Sequence, residues 1–186
     1  MAQENSGSDG IHTGDGVIGR RAALALAATA IVSGCSLFNQ QAGSGPHAKG
    51  RVSHLEVHKG KRRLYALSGD RILENYRISL GFTPVGHKLR EGDGKTPVGR
   101  YMIDRKNPNS RFYLSLGISY PNRDDSRAAK ARGYSAGGDI FIHGQPNRSG
   151  GTLRNDWTEG CIAIANREMR KLYQMVDIGT PVYIYH

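Results

Sequence analysis

From Val52 to Val57 apolar positions alternate with polar ones, Lys59-Gly60-Lys61 interrupts the pattern, and the alternation resumes over Arg62 to Leu67 and again over Arg71 to Leu80 after Ser68-Gly69-Asp70. A period of two puts neighbouring side chains on opposite faces, so three short strands joined by turns are predicted, in an antiparallel meander. Segment 81–99 loses all periodicity to glycine, proline and charge and reads as loop. Further strands are expected at Tyr101 to Ile103 and at Phe112 to Ile118. Residues 121–138 turn polar and basic, a surface insertion with a short helix over Asp125 to Arg132. Asp139 to His143 is an apolar strand, with Ile140 and Ile142 on one face and Phe141 and His143 on the other, both faces covered. Asn166 is the expected cap of a helix whose Met169, Leu172, Tyr173 and Val176 form one stripe at i, i+3, i+4 and i+7. Gly179-Thr180-Pro181 ends that helix, and Val182 to Tyr185 supplies a closing strand. Many strands and one or two short helices predict a mostly β domain, sandwich or barrel-like.

The pattern ahead of these strands is of another kind. Arg20-Arg21 precedes an unbroken run of small and apolar residues, Ala22 to Val32, ending in Ser33-Gly34. That is the layout of a secretion signal, and the run is about half of the roughly 20 residues that a membrane-spanning helix needs. Val32-Ser33-Gly34-Cys35 resembles the bacterial lipobox, in which the Cys becomes the lipid-bearing first residue after cleavage, and the paired arginines resemble a twin-arginine export signal. Three segments follow: a signal peptide over 1–34, a flexible tether over 35–50 leading from lipidated Cys35, and a catalytic unit over 51–186. Ser36 after Cys35 is not the Asp type of inner-membrane retention signal, which favours the outer membrane in an organism that has one. The expected location is the periplasmic side of the cell envelope, on a membrane through the lipid.

At 186 residues the chain has room for one ordinary domain and its terminal segments, not for two large domains. A net charge of +10 draws it toward anionic surfaces in general. The basic residues are scattered and no stripe of aromatics accompanies them, and an export signal also argues against nucleic acid as the partner.

Cysteine usage sharpens the picture. With Cys35 lipidated, Cys161 is left without a disulfide partner in an oxidising compartment. A lone thiol is ordinarily a small buried hydrophobe. Here its flank, Asp156-Trp157-Thr158-Glu159-Gly160-Cys161, lies downstream of Phe141-Ile142-His143-Gly144, so a loop that folds back brings a base to a nucleophile. An unperturbed thiol has a pKa of about 8.5 and needs such a base near neutrality. The Gly144 carbonyl can fix the imidazole tautomer, and the backbone around Gly160 and Cys161 can point N–H groups at a developing oxyanion. One Cys and one His are too few ligands for zinc, and a papain-like order would place Cys before His.

His143-Gly144 followed by Thr158-Glu159-Gly160-Cys161 resembles the signature of the YkuD-type L,D-transpeptidases. The resemblance runs from about Val52 to the end, supported by Ser79-Leu80-Gly81 and Gly92-Asp93-Gly94-Lys95-Thr96-Pro97-Val98-Gly99, and is nearest the YafK-like murein transpeptidases. It implies a mostly β domain in which Cys161 attacks the amide after the third residue of a peptidoglycan stem and releases the terminal D-alanine. The thioester is then passed to an amine, of another stem or of a wall-attached lipoprotein. It also implies His143 as general base, Gly144 as donor of the orienting carbonyl, Gly160 in the oxyanion turn, and no metal or organic cofactor. Many members carry Ser-His-Gly-Cys, an apolar residue and a substrate-binding Arg; this chain has Thr-Glu-Gly-Cys-Ile-Ala, and Ala163 offers no cation. Trp157, Thr158, Glu159 and Arg154 are the expected substrate-binding residues, with Arg148 and Arg111 as further cations for the substrate carboxylate. His87, in the loop before Gly92, is a further candidate for the site's surroundings, and loop 145–155 for a lid. Two other outcomes share the scaffold: a hydrolase, either L,D-carboxypeptidase or amidase releasing wall-bound protein, and a non-catalytic wall-binding lipoprotein.

Overall fold

Alternation near residue 55 becomes strand β1 (His54–His58), whose Leu55 and Val57 are fully buried while the residues between them stay half-exposed. Strands β2 (Arg63–Ser68) and β3 (Arg71–Arg77) follow as the predicted antiparallel meander. The structure is a computed structural model that describes residues 51–148 and 155–186. The segments expected to be a signal peptide and a tether with Cys35, and Arg154, lie outside the described residues. No helix among the described residues is long and apolar enough to cross a membrane.

The remaining elements are β4 (Gly99–Ser110), β5 (Tyr113–Ile118), α1 (Arg123–Ala131), β6 (Phe141–His143), β7 (Ile162–Ala163), α2 (Asn166–Met175) and β8 (Pro181–Tyr185). They build one eight-stranded sheet in the order β3-β2-β1-β8-β4-β5-β6-β7. β8 runs parallel to β1 and antiparallel to β4, and β6 and β7 are parallel, so the sheet is mixed. The chain leaving β3 crosses to the opposite edge, where Ser79 pairs with Ala163 and Gly81 with Thr158, and this curls the sheet toward the barrel-like form expected of it. Helix α2 lays Met169 and Leu172 against the core, with Val176 buried just after its last turn, as the stripe predicts.

Three local expectations need correction. Strand β4 is much longer than the predicted Tyr101 to Ile103, because its polar half, Asp104 to Ser110, pairs with β5 while leaving most of its side chains in solvent. Helix α1 starts earlier than Asp125, since Asn122 Oδ1 accepts the N–H groups of Asp124 and Asp125 and the Asp125 carboxylate accepts the Asn122 N–H. Asn166 does not cap α2. Ala165 holds that position, its N–H bonded to the Glu168 carboxylate, and the Asn166 side chain turns away to accept the Gln145 N–H at 2.7 Å.

The long loop after β3 is braced from within. Asp93 accepts the N–H groups of Leu89, Arg90 and Lys95 and pairs with the Lys88 ammonium at 3.0 Å, although both side chains are nearly inaccessible. Burial works to raise this carboxyl, but the bonds from Leu89, Lys95, Lys88 and Arg90 outweigh it and hold it below its ordinary value. Its stabilising contribution is therefore present above the ordinary carboxylate pKa and lost as pH falls through the depressed value. Asp93→Ala strands the Lys88 ammonium in the interior and should cost about 3–5 kcal/mol in a denaturant titration at neutral pH. A loss below about 1 kcal/mol would mean that the pair is not a brace.

Candidate active site

The sheet brings the two predicted reactive residues together through its register. In the parallel β6–β7 pair, Ile142 stands opposite Ile162 and His143 opposite Ala163. Cys161, one residue ahead of β7, therefore falls beside Phe141, and the Phe141 N–H donates to Cys161 Sγ at 3.4 Å. Phe141 and His143 share a face of β6 because they are two apart. Cys161 and His143 both line one cavity of about 720 Å³, walled by Phe112, Phe141 and Trp157 and floored in part by Ser115.

The imidazole is held tightly. His143 is only 3% exposed, and its Nδ1 lies 2.7 Å from the Gly144 carbonyl oxygen. A carbonyl can only accept, so Nδ1 carries the proton and Nε2 keeps its lone pair. Phe112 stacks at a tilt 4.6 Å from the ring, and Trp157 meets it edge-on at 5.8 Å. Burial lowers the pKa, partly countered by the bond to Gly144, so the ring is a neutral base at physiological pH. Gly144 tolerates no side chain: a Cβ there would overlap Asn166 Oδ1 and come within 2.9 Å of the Phe112 carbonyl.

Cys161 is half-buried, and its thiol donates to the Asp139 carbonyl at 3.5 Å. Burial pushes its pKa up to about 11; the Phe141 N–H opposes this, Asp139 adds to it, Lys88 counters, and Glu159 adds further. Both shifts favour thiol and neutral imidazole over thiolate and imidazolium in the resting pair. Alkylation of the free enzyme by iodoacetamide should accordingly rise with pH well beyond the roughly 8.5 of an ordinary thiol. A plateau already reached at pH 7 would show the opposite, a preformed ion pair.

The turn before the thiol is clamped by one side chain. Thr158 Oγ1 donates to the Cys161 carbonyl at 2.7 Å and accepts the Gly160 N–H at 3.2 Å. Gly160 has φ +130 and sits so close to the 92–99 loop that a Cβ would lie 2.7 Å from the Lys95 carbonyl. Asp156 ties the approach to this turn, taking the Arg62 guanidinium at 2.7–3.1 Å and the Leu80 N–H at 2.8 Å.

The predicted substrate contacts separate into groups. Trp157 and Glu159 line the cavity, and so does Arg111. Thr158 lines it too, but its hydroxyl is already spent on the turn, and Arg148 is exposed and away from the lining. His87 is committed elsewhere, with Nε2 at 3.2 Å from Asp125 and Nδ1 accepting the Val98 N–H. Sequence reasoning missed Phe112, Ser115 and Asp139 as lining residues. Only the β5–β6 register, which sets Ser115 opposite His143, brings the first two near. Asp139 adopts φ 52 and is held by Arg105 at 2.8 Å, whose guanidinium also covers the Phe141 ring at 4.5 Å.

A mixed sheet that closes on a His and a Cys at neighbouring parallel strand ends is the architecture of one class of cell-wall domain. The chain belongs to the YkuD family, the L,D-transpeptidase catalytic domain, whose family model matches residues 53–184. Among curated proteins it is 30% identical over 172 residues to YafK of Escherichia coli K12, itself only provisionally assigned as an L,D-transpeptidase, with 84% of this chain and 64% of YafK covered. Among solved structures it resembles the helical cell shape determining protein Pgp2 of Campylobacter jejuni, with a TM-score of 0.58 and 33% identity over 73% of this chain and 48% of Pgp2. The fold is also shared with Bd1075 of Bdellovibrio bacteriovorus, with a TM-score of 0.51 at 22% identity over 75% of this chain and 50% of that one. The chain thus spans just under two thirds of the length of YafK and about half that of Pgp2.

Proposed function

We propose that this domain is a cysteine acyltransferase of the cell wall, an L,D-transpeptidase acting on peptidoglycan stem peptides. The observation that carries the reading is the shared cavity of Cys161 and His143, with Nδ1 locked on the Gly144 carbonyl so that Nε2 is free to take a proton. The thiol turns from the Asp139 carbonyl toward Nε2 and gives up its proton as sulfur attacks the carbonyl carbon after the third stem residue. Gly160 shapes the turn while its own N–H is taken by Thr158, so the Cys161 N–H is the donor proposed for the oxyanion. The imidazolium then protonates the departing D-alanine nitrogen, leaving a thioester on Cys161. An acceptor amine attacks that thioester, loses its proton to Nε2, and the thiol is restored as the new amide leaves.

Trp157 and Phe112 give this cavity an apolar wall for the stem, and Glu159 and Arg111 line it as well. Arg111, together with Arg154 from the sequence, is the cation proposed for the substrate carboxylate. The lipobox-like Val32-Ser33-Gly34-Cys35 and the run ahead of it support export and lipidation at Cys35, with a tether over 35–50 that would put the domain on the periplasmic side of a membrane, facing the wall. A wall-attached lipoprotein is one acceptor this location allows.

The test incubates the full chain with purified disaccharide tetrapeptides, alone and with added amine, and reads products by mass spectrometry. A cross-linked dimer or amine adduct, with a transient acyl mass on Cys161, is the expected result. Shortened monomer alone would make it a hydrolase, and unchanged peptide would reduce the site to a binding role.

A further inference from the structure

Lys59, just after β1, is a charged residue that the proposed chemistry leaves unused, yet it is only 2% exposed. Its ammonium donates to two backbone carbonyls of the long loop, those of Gly86 and of Thr96, the latter at 2.7 Å. Among the described residues no carboxylate bonds it directly. Burial drives its pKa down to about 8, Lys95 and Arg62 push it lower, and only Asp93 opposes them. A buried ammonium held solely by carbonyls is costly, and an apolar side chain of the same length would pack without that cost.

What the cation grips explains its position. Thr96, also fully buried, accepts the Gly81 N–H on its Oγ1 at 3.2 Å. The residues flanking Gly81 in turn hold Thr158 by its backbone, through Thr158 N–H to the Leu80 carbonyl at 3.1 Å and Phe82 N–H to the Thr158 carbonyl at 2.8 Å. Thr158 then clamps Gly160 and the Cys161 carbonyl. A second route is direct packing, because the Lys95 carbonyl bounds the space at Gly160 and the Gly94 carbonyl abuts Gly81. Both routes begin at the segment tied down by Lys59 and end at the turn that presents the Cys161 N–H.

We infer that Lys59 is a positioning residue for acyl transfer, acting through Thr96 and the neighbouring carbonyls to fix the Gly160–Cys161 turn. The inference rests on the reading of Cys161 as an acylated nucleophile. It separates two reactions of the same sulfur: acylation by a peptide needs the oxyanion donor in place, whereas alkylation by iodoacetamide forms no oxyanion and needs only the thiol and its base.

The experiment compares these two rates in the full chain for wild type, Lys59→Met and Thr96→Val, with single-turnover acylation followed by D-alanine release and acyl mass. Displacing an oxyanion donor costs about 10²–10³ in rate when complete, so a partial loss of at least about ten-fold in acylation is expected for Lys59→Met. That loss should fall on kcat rather than KM, with alkylation at the same pH within about two-fold of wild type. Thr96→Val, which keeps the ammonium's carbonyl partner and removes only the link to Gly81, should show the same split to a smaller degree, and it decides the matter alone should Lys59→Met fail to fold. Unchanged acylation, or acylation and alkylation falling together, overturns the inference. A wild type that releases no D-alanine yet alkylates normally defeats the functional reading first and this inference with it.

Discussion

Cys161→Ala should leave a folded domain that releases D-alanine from wall tetrapeptides no faster than background, a loss of about 10⁴-fold or more, as when the nucleophile of an acyl-transfer enzyme is removed. The structural cost should be small. The sulfur makes two long contacts, from the Phe141 N–H at 3.4 Å and to the Asp139 carbonyl at 3.5 Å, and the residue is only half-buried. The clamp from Thr158 reaches the main-chain carbonyl of residue 161 and survives the substitution. Thermal unfolding should therefore shift by no more than the few degrees that about 1 kcal/mol represents. The decisive comparison is residual turnover against wild type at equal folded fraction, and more than about 1% remaining is incompatible with a sulfur nucleophile.

His143→Ala should lower turnover by about 10²–10⁴-fold, the range of a lost general base. It should also cost stability, about 2–4 kcal/mol by analogy with other large-to-small core substitutions, because the ring is buried against Phe112 and Trp157. His143→Gln keeps most of the volume and should recover stability without recovering rate, which separates the two effects. The pH dependence has a definite sign. Without the base the reaction depends on thiolate formed by solvent, so the gap between variant and wild type should narrow as pH climbs toward the Cys161 value of about 11. A constant gap from pH 7 to pH 10 would assign His143 a packing role only. The depressed pKa of His143 also means that the fold favours the neutral ring, so its contribution to stability holds above the ordinary histidine pKa and is lost as pH falls through the depressed one.

Local periodicity made much of the scaffold legible. Leu55 and Val57 alternate, and Met169, Leu172 and Val176 recur at helical spacing, so β1 and α2 follow from residues a few positions apart. Strand β7 could not be read this way: Ile162–Ala163 is too short to show a period and exists because β6 lies on one side and Ser79 on the other. The polar half of β4 was hidden for a related reason, since a strand with most side chains in solvent carries little apolar pattern. Around the site, the positions of His143 and Cys161 in one cavity were anticipated from motif order, whereas Asp139, Phe112 and the burial of Lys59 depend on pairings between distant segments. Asn166 illustrates a competition that sequence does not rank: its side chain can cap its own helix or serve a neighbouring loop, and the space left by Gly144 decides for the loop.

The place of β8 in the sheet governs how the domain assembles. Among the described strands it is the one that pairs with both the β3-β2-β1 ribbon and the β4-β5-β6-β7 ribbon, joining Leu55 to Val182 on one side and Tyr101 to Val182 on the other. Until residues 181–185 dock, each ribbon carries an open edge able to pair with another molecule, and the loop-closure entropy for the whole span is still unpaid. Refolding should consequently be slow and concentration-sensitive, and a chain cut before Pro181 is expected to accumulate as aggregate rather than as a partly active domain.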